Sequence, residues 1–187
     1  MTVLELGIEN DVQLVDMNPR DESTGFWQTN PLAKIPALEL DDGRVIYDSP
    51  VICEYLSDAH GSGRLLEGGG RDAWDVRTLA ALADGTMDAA MLVRLELMRP
   101  EDERSPTDMA KQLATAARGF DRLQELLADC DDGVDLGTIA AACCVAWVPF
   151  RHPSIDWLGE RPGLARWYER FAARESMMRT VPGAALS

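Results

Sequence analysis

Two short groups of residues carry the chemistry that this chain displays. Ile35-Pro36 stops an extended segment, and Asp48-Ser49-Pro50 opens a helix. Between them, apolar runs at 38–40 and 44–47 flank the turn Asp41-Asp42-Gly43, which predicts a β-hairpin. A residue before proline is driven to extended backbone, so the N–H and C=O of Ile35 are available to another extended peptide. Proline at the first helical position needs no N–H, and Asp48 or Ser49 is a suitable cap. That helix start offers unpaired N–H groups to a carboxylate. The Asp48 carboxylate accepts hydrogen bonds from an ammonium. A small peptide with a free α-amino group and α-carboxylate at one end satisfies all three.

The stretch Asn30-Pro31-Leu32-Ala33-Lys34-Ile35-Pro36-Ala37-Leu38 followed by Tyr47-Asp48-Ser49-Pro50 resembles the glutathione-binding half of the glutathione S-transferase family. The resemblance implies that the Ile35-Pro36 bond is cis and that Ile35 pairs with the cysteinyl backbone of glutathione. It also implies that Asp48 and Ser49 hold the γ-glutamyl end. Lys34 is either a ligand for a glutathione carboxylate or a solvated lysine beside a turn. Family members begin with a strand, a turn carrying a catalytic Ser, Cys or Tyr, and a first helix. Residues 1–7 read as the last turns of that helix, with Gly7 as its left-handed stop, and residues 11–17 read as the second strand. The catalytic position is therefore expected upstream of Met1, and no catalytic residue is assigned within the chain. Two explanations stand: a gene start set too far downstream, which is preferred, or a relative that has lost the strand.

Elements must hold these groups in place. Residues 1–57 are read as a partial thioredoxin-like, glutathione-binding α/β domain lacking its first strand, 58–70 as a glycine-rich linker, and 71–187 as an all-helical domain. Within the latter, apolar residues at helical spacing predict a long helix over 71–98 with a soft spot at Gly85. Ser105-Pro106 caps a second helix. Asp135 and Thr138 are the cap and third position of another, whose run Ala140-Ala141-Ala142-Cys143-Cys144 lets neighbours approach closely. A last helix runs from Leu164 through Phe171.

Other candidate groups are weighed against packing. Cys53 follows Ser49 by one turn inside an apolar helix, where a cysteine behaves as a small hydrophobe with a raised pKa. Cys143 and Cys144 are read as structural. Asp84 and Asp88 share a helix face. Resemblance makes Asp84 a candidate for reaching the γ-glutamyl amine of a dimer partner, against the alternative of a solvated face. Met87, Met91 and Met98 could line a pliable pocket for an electrophile, but a methionine stripe at helical spacing is more often core and is read so here.

The net charge of −14 argues against nucleic acid and anionic membrane surfaces, which need basic patches. No apolar run reaches the length of a membrane span. Four cysteines without C-x-x-C spacing, and only two histidines, argue against a metal site and suit a reducing cytoplasm. The resemblance implies glutathione as co-substrate, a hydrophobic electrophile as second substrate, and a homodimer. The expectation is a glutathione transferase, with a non-catalytic glutathione-binding relative as the alternative.

Overall fold

Capping residues and prolines decide where the helices begin in the computed structural model, which describes residues 1–67 and 70–181. Helix α1, Thr2–Leu6, stops at Gly7, whose φ of 73° lies in the left-handed region as expected. The strand expected over 11–17 does not form. Val12 packs on the small cluster of Ile8, Ile52 and Leu56, but Leu14 and Val15 are 69% and 68% exposed. Alternating apolar residues supply only half of what a strand needs. Its N–H and C=O groups also require a neighbour, and among the described residues none pairs with this segment. An unanticipated helical turn, α2, Phe26–Thr29, buries Phe26.

The hairpin forms as expected, though its strands are shorter. β1, Leu38–Glu39, pairs antiparallel with β2, Val45–Ile46, with Leu38 opposite Ile46. Gly43, at φ 82°, supplies the positive φ in the turn. Helix α3, Ser49–Gly61, starts with Pro50 in its first turn. Asp48 stands at its N-cap, yet neither Asp48 nor Ser49 makes the expected side-chain cap bond, which leaves the Asp48 carboxylate uncommitted to the helix.

The passage read as a linker over 58–70 is largely helical. α3 continues to Gly61, and α4, Arg64–Glu67, follows after a left-handed Ser62-Gly63 turn. Leu65 is the cause: it is buried in the main core, and its N–H donates to the Ser57 hydroxyl at 3.1 Å. Gly68 and Gly69, the rest of that reading, lie outside the described residues.

Beyond it the chain is helical. α5, Ala73–Leu97, begins at Asp72, whose carboxylate accepts from the N–H groups of Trp74 and Asp75, and it runs unbroken through Gly85. α6, Pro106–Leu127, is capped by Ser105. α7, Leu136–Arg151, starts with a full capping box: Thr138 N–H donates to Asp135 and Asp135 N–H donates to Thr138 Oγ1. α8, Pro162–Ala172, is followed by an unanticipated turn, α9, Glu175–Met178. The main core lies among α5, α6, α7 and α8, centred on Val76, Phe120, Leu123, Val145 and Trp167. Two glycines allow the helices to touch. A Cβ on Gly137 would lie 2.8 Å from the Val76 carbonyl oxygen, and one on Gly119 would overlap Thr86.

Charged pairs join the α/β portion to the helices. Arg77 on α5 forms a two-pronged pair with Glu54 on α3 at 2.9 and 3.0 Å. Glu5 on α1 accepts both prongs of Arg174 at 2.9 and 2.8 Å and also accepts from the Ser176 hydroxyl. The Arg174 hydrogen bonds hold the Glu5 carboxyl below its ordinary value of 4.5, against the opposing effect of burial. A carboxyl depressed in this way stabilises the fold above its unfolded pKa, and that contribution is lost as pH falls through the folded value. Glu5→Gln is expected to cost about 1–3 kcal/mol at neutral pH, as charged hydrogen bonds do, in urea unfolding. The gap from wild type should close on acidification; a gap of constant size would show that the Glu5 charge contributes nothing.

Candidate functional site

A cavity of about 920 Å³ opens between the α/β portion and the helical portion. Thr2, Pro36, Ser49 and Pro50 line one side of it. Asp84 and Met87 of α5, with Trp147 and Phe150 of α7, line the other. The Ile35–Pro36 peptide is cis, as the resemblance implies. The loop that presents it is built by Asn30, only 1% exposed. Its carboxamide donates to Lys34 C=O at 2.7 Å and accepts from Leu32 N–H at 3.0 Å, while Ala33 takes a positive φ of 47°. Among the described residues, the backbone N–H and C=O of Ile35 pair with no protein group.

The expected site residues divide. Pro36, Ser49 and Asp84 face the cavity together. Ile35 and Asp48 adjoin it through their neighbours and are exposed, as is Lys34. Lys34 forms no ion pair among the described residues. Asp48 nonetheless lies close enough to Asp84 for their charges to interact. Asp84 is half-buried: burial first, then Asp88 and Asp48, push its carboxyl above the ordinary range. Of the methionines read as core, Met87 packs on the core and lines the cavity, whereas Met91 and Met98 are exposed.

The thiols on the cavity wall are poorly poised for attack. Burial pushes Cys53 up, and the Thr2 hydroxyl, which donates to its sulfur at 3.2 Å, only partly opposes this. Burial also raises Cys143, whose sulfur contacts the Met1 thioether at 3.5 Å, and raises its neighbour Cys144, which is buried in the core away from the cavity, further. All three behave as packed hydrophobes. Burial raises the Tyr168 phenol as well, at another point on the wall. Among the described residues no group of three or more His, Cys, Asp or Glu side chains converges to hold a metal ion.

Several residues of this site escaped the sequence reading. Asn30 was quoted only as part of a stretch, although Asn-Pro is itself a turn signal whose side chain bonds backbone two residues on. Trp147 and Phe150 lie three apart on one helix, so they share a face, and that spacing continues the small-residue run from Ala140. Glu54 and Arg77 carry no local pattern that could have paired them.

Comparison with known proteins agrees with this geometry. Residues 1–59 match the N-terminal domain of glutathione S-transferase, and residues 89–170 match its C-terminal domain. The chain is 34% identical over 183 residues to the uncharacterized GST-like protein YibF of Escherichia coli strain K12, covering 96% of this chain and 90% of that one. A glutathione S-transferase of Methylobacillus flagellatus KT, solved with glutathione bound, is 33% identical, with a TM-score of 0.88 over 96% of this chain and 90% of its own. A glutathione transferase family member of Pseudomonas fluorescens Pf-5 with bound glutathione is 38% identical, with a TM-score of 0.85 over 96% and 89%. The same family member with S-(propanoic acid)-glutathione gives 37% and 0.81 over 96% and 89%. From its matching domains, its full-length relatives and its fold, the chain belongs to the glutathione S-transferase family, with a thioredoxin-like N-terminal domain followed by a helical C-terminal domain.

Proposed function

We propose that the protein binds glutathione along Ile35, Pro36, Asp48 and Ser49 and conjugates it to a hydrophobic electrophile held against α5 and α7. One observation carries this reading: a single cavity has the hairpin loop and the α3 start on one side and apolar helix residues on the other. The glutathione-bound relatives from Methylobacillus and Pseudomonas support the first substrate. The Ile35 backbone is free for an extended peptide, the α3 N–H groups suit a carboxylate, and Asp48 suits the γ-glutamyl ammonium. Lys34 is proposed to approach the other carboxylate from the rim. In the reaction the thiol loses its proton, sulfur forms a bond to the electrophilic carbon, and a leaving group departs with the electron pair of its bond. An S-substituent bearing a carboxylic acid is present in one Pseudomonas complex, which supports a second substrate of modest size beside the sulfur.

Binding without catalysis is a second reading with its own observation. The Thr2 hydroxyl at the cavity wall is committed to Cys53, and the cavity thiols are raised by burial, so neither favours a glutathione thiolate. The rate of glutathione conjugation to chlorodinitrobenzene separates the two: a rate above the uncatalysed background supports the transferase.

A homodimer through α5 is part of the proposal, as are a cytoplasmic location and a role in detoxifying electrophiles. Met91, Leu95 and Met98, spaced four and three apart, expose 37%, 43% and 58% of their surface on one stripe of α5. Asp84 and Asp88 continue that stripe toward the helix start, which suits Asp84 to the partner's γ-glutamyl amine. Among the described residues no helix is long and apolar enough to cross a membrane.

Three outcomes are expected. Asp48→Ala should weaken glutathione binding in titration calorimetry by about 1.5–3 kcal/mol, the value of a charged hydrogen bond; unchanged affinity removes Asp48 from the site. Light scattering at micromolar concentration should give twice the chain mass, from an interface burying about 1,200–2,000 Å² in total; a monomer overturns the dimer. Iodoacetamide at neutral pH should label Cys53 more slowly than free cysteine, by mass spectrometry, because its thiol is raised. Labelling as fast as free cysteine would reopen Cys53 as a nucleophile.

A further inference from the structure

One charge on the cavity wall has no counter-charge. Of the charged side chains that line the cavity, Glu54 and Arg77 neutralise each other through bonds of 2.9 and 3.0 Å. Asp84 forms no hydrogen bond or ion pair among the described residues. Helix packing fixes its place. α5 and α7 lie side by side from Gly137, which rests on the Val76 carbonyl, to His152, whose Nε2 lies 2.9 Å from the Ala90 carbonyl oxygen. Asp84 therefore stands midway along the wall, on the α5 face it shares with Ala80 and Ala81, whose small side chains leave room beside it. Burial, then Asp88 and Asp48, already disfavour its charged form, a cost that a bound cation removes. The Tyr168 phenol lines the same cavity and, like Asp84, is within electrostatic reach of Cys143. Among the described residues its oxygen has no hydrogen-bond partner, so it is free to accept from an N–H. The far end of the wall has the opposite charge. There the Arg151 guanidinium lies 4.8 Å from the Phe150 ring centre, so that end repels a second cation and offers the apolar surface of Trp147 and Phe150.

We infer that Asp84 selects a second ligand that is an apolar amine in its ammonium form. This rests on the functional reading above for the identity of the cavity and deepens it by naming the class of electrophile. The apolar body lies toward Trp147 and Phe150, and the ammonium turns to the middle of the wall, where Asp84 supplies the charge and the Tyr168 oxygen a further acceptor. The partner's γ-glutamyl amine, proposed above for Asp84, is also an ammonium. The position of Asp84 on the wall of its own chain's cavity gives it a second claimant, and saturating glutathione tells the two apart.

The test compares naphthylmethylamine, a cation at neutral pH, with naphthylmethanol, which has nearly the same shape and no charge. Each is titrated by calorimetry into wild type, Asp84→Asn and Asp88→Asn, with and without saturating glutathione. Wild type should bind the amine about tenfold more tightly than the alcohol, the effect of one charged hydrogen-bonding pair. Asp84→Asn should bring the two within about twofold by weakening the amine alone. Asp88→Asn removes the same charge one turn on, at an exposed position off the cavity wall, and should keep most of the preference. No preference in wild type, an undiminished preference in Asp84→Asn, an equal loss in Asp88→Asn, or a preference that glutathione abolishes overturns the assignment. Should thermal melts show Asp84→Asn unfolded, the wild-type preference must still shrink as sodium chloride rises, and a salt-independent preference overturns it equally. A wild type that prefers the amine but does not bind glutathione overturns the functional reading while leaving the cation preference standing. One that binds glutathione and treats the probes alike overturns this inference alone.

Discussion

One fully buried carboxylate sets the geometry on which the cavity depends. Asp135 is inaccessible to solvent, accepts from Thr138 N–H at 2.7 Å, and pairs with Arg71 at 2.9 Å. It fixes where α7 begins and ties that start to the residue preceding the α5 cap. An isolated buried charge is costly, and here the cap bond and the guanidinium together offset it. The next residue but one is Gly137, whose lack of a side chain lets α7 lie directly on the backbone of α5. Every α7 residue on the cavity wall, from Leu136 to Phe150, takes its position from that contact. The aromatic pair and Arg151 at the far end are therefore registered by a cap four turns away.

Charge is distributed with the same economy. The chain is strongly acidic, so each arginine has a choice of partners. Arg174 and Arg77 are spent on clasping α1 and α3 to the helical portion, and Arg161 reaches Asp121 together with the carbonyls of Ala117 and Trp157. Such two-pronged arginine contacts are directional, and they fix one packing of the two portions in a way that apolar contact alone does not. The cavity between them inherits its shape from this clasping.

How much of this was legible in the sequence follows from how local each signal is. The Asp135–Thr138 box, the Ser105 cap, the Gly7 stop and the hairpin turn at Gly43 depend on neighbours within four residues, and all were readable. The cluster of Pro36 and Ser49 was readable because a family resemblance placed two loops in one site. Residues 11–17 misled because alternation reports one buried face and is blind to whether a neighbouring strand exists. The glycine-rich passage misled because two leucines, Leu65 and Leu66, outweighed the glycines around them. Glu5 with Arg174, separated by most of the chain, had no local trace. Neither did the pairing of Thr2 with Cys53, which only the packing of α1 on α3 creates.

The buried Asn30 has a consequence for the thermodynamics of recognition. A loop that must order itself around a ligand gives up roughly 1–2 kcal/mol of backbone entropy per residue at the moment of binding. Here one carboxamide has already fixed residues 30–34 in the free protein, holding the loop by both ends of its short arc. The ordering cost falls in folding, before any ligand arrives, so the edge offered by Ile35 is rigid when the ligand meets it. If that edge binds glutathione as proposed, recognition there is that of a preformed template, with its selectivity set by shape and not by adaptation.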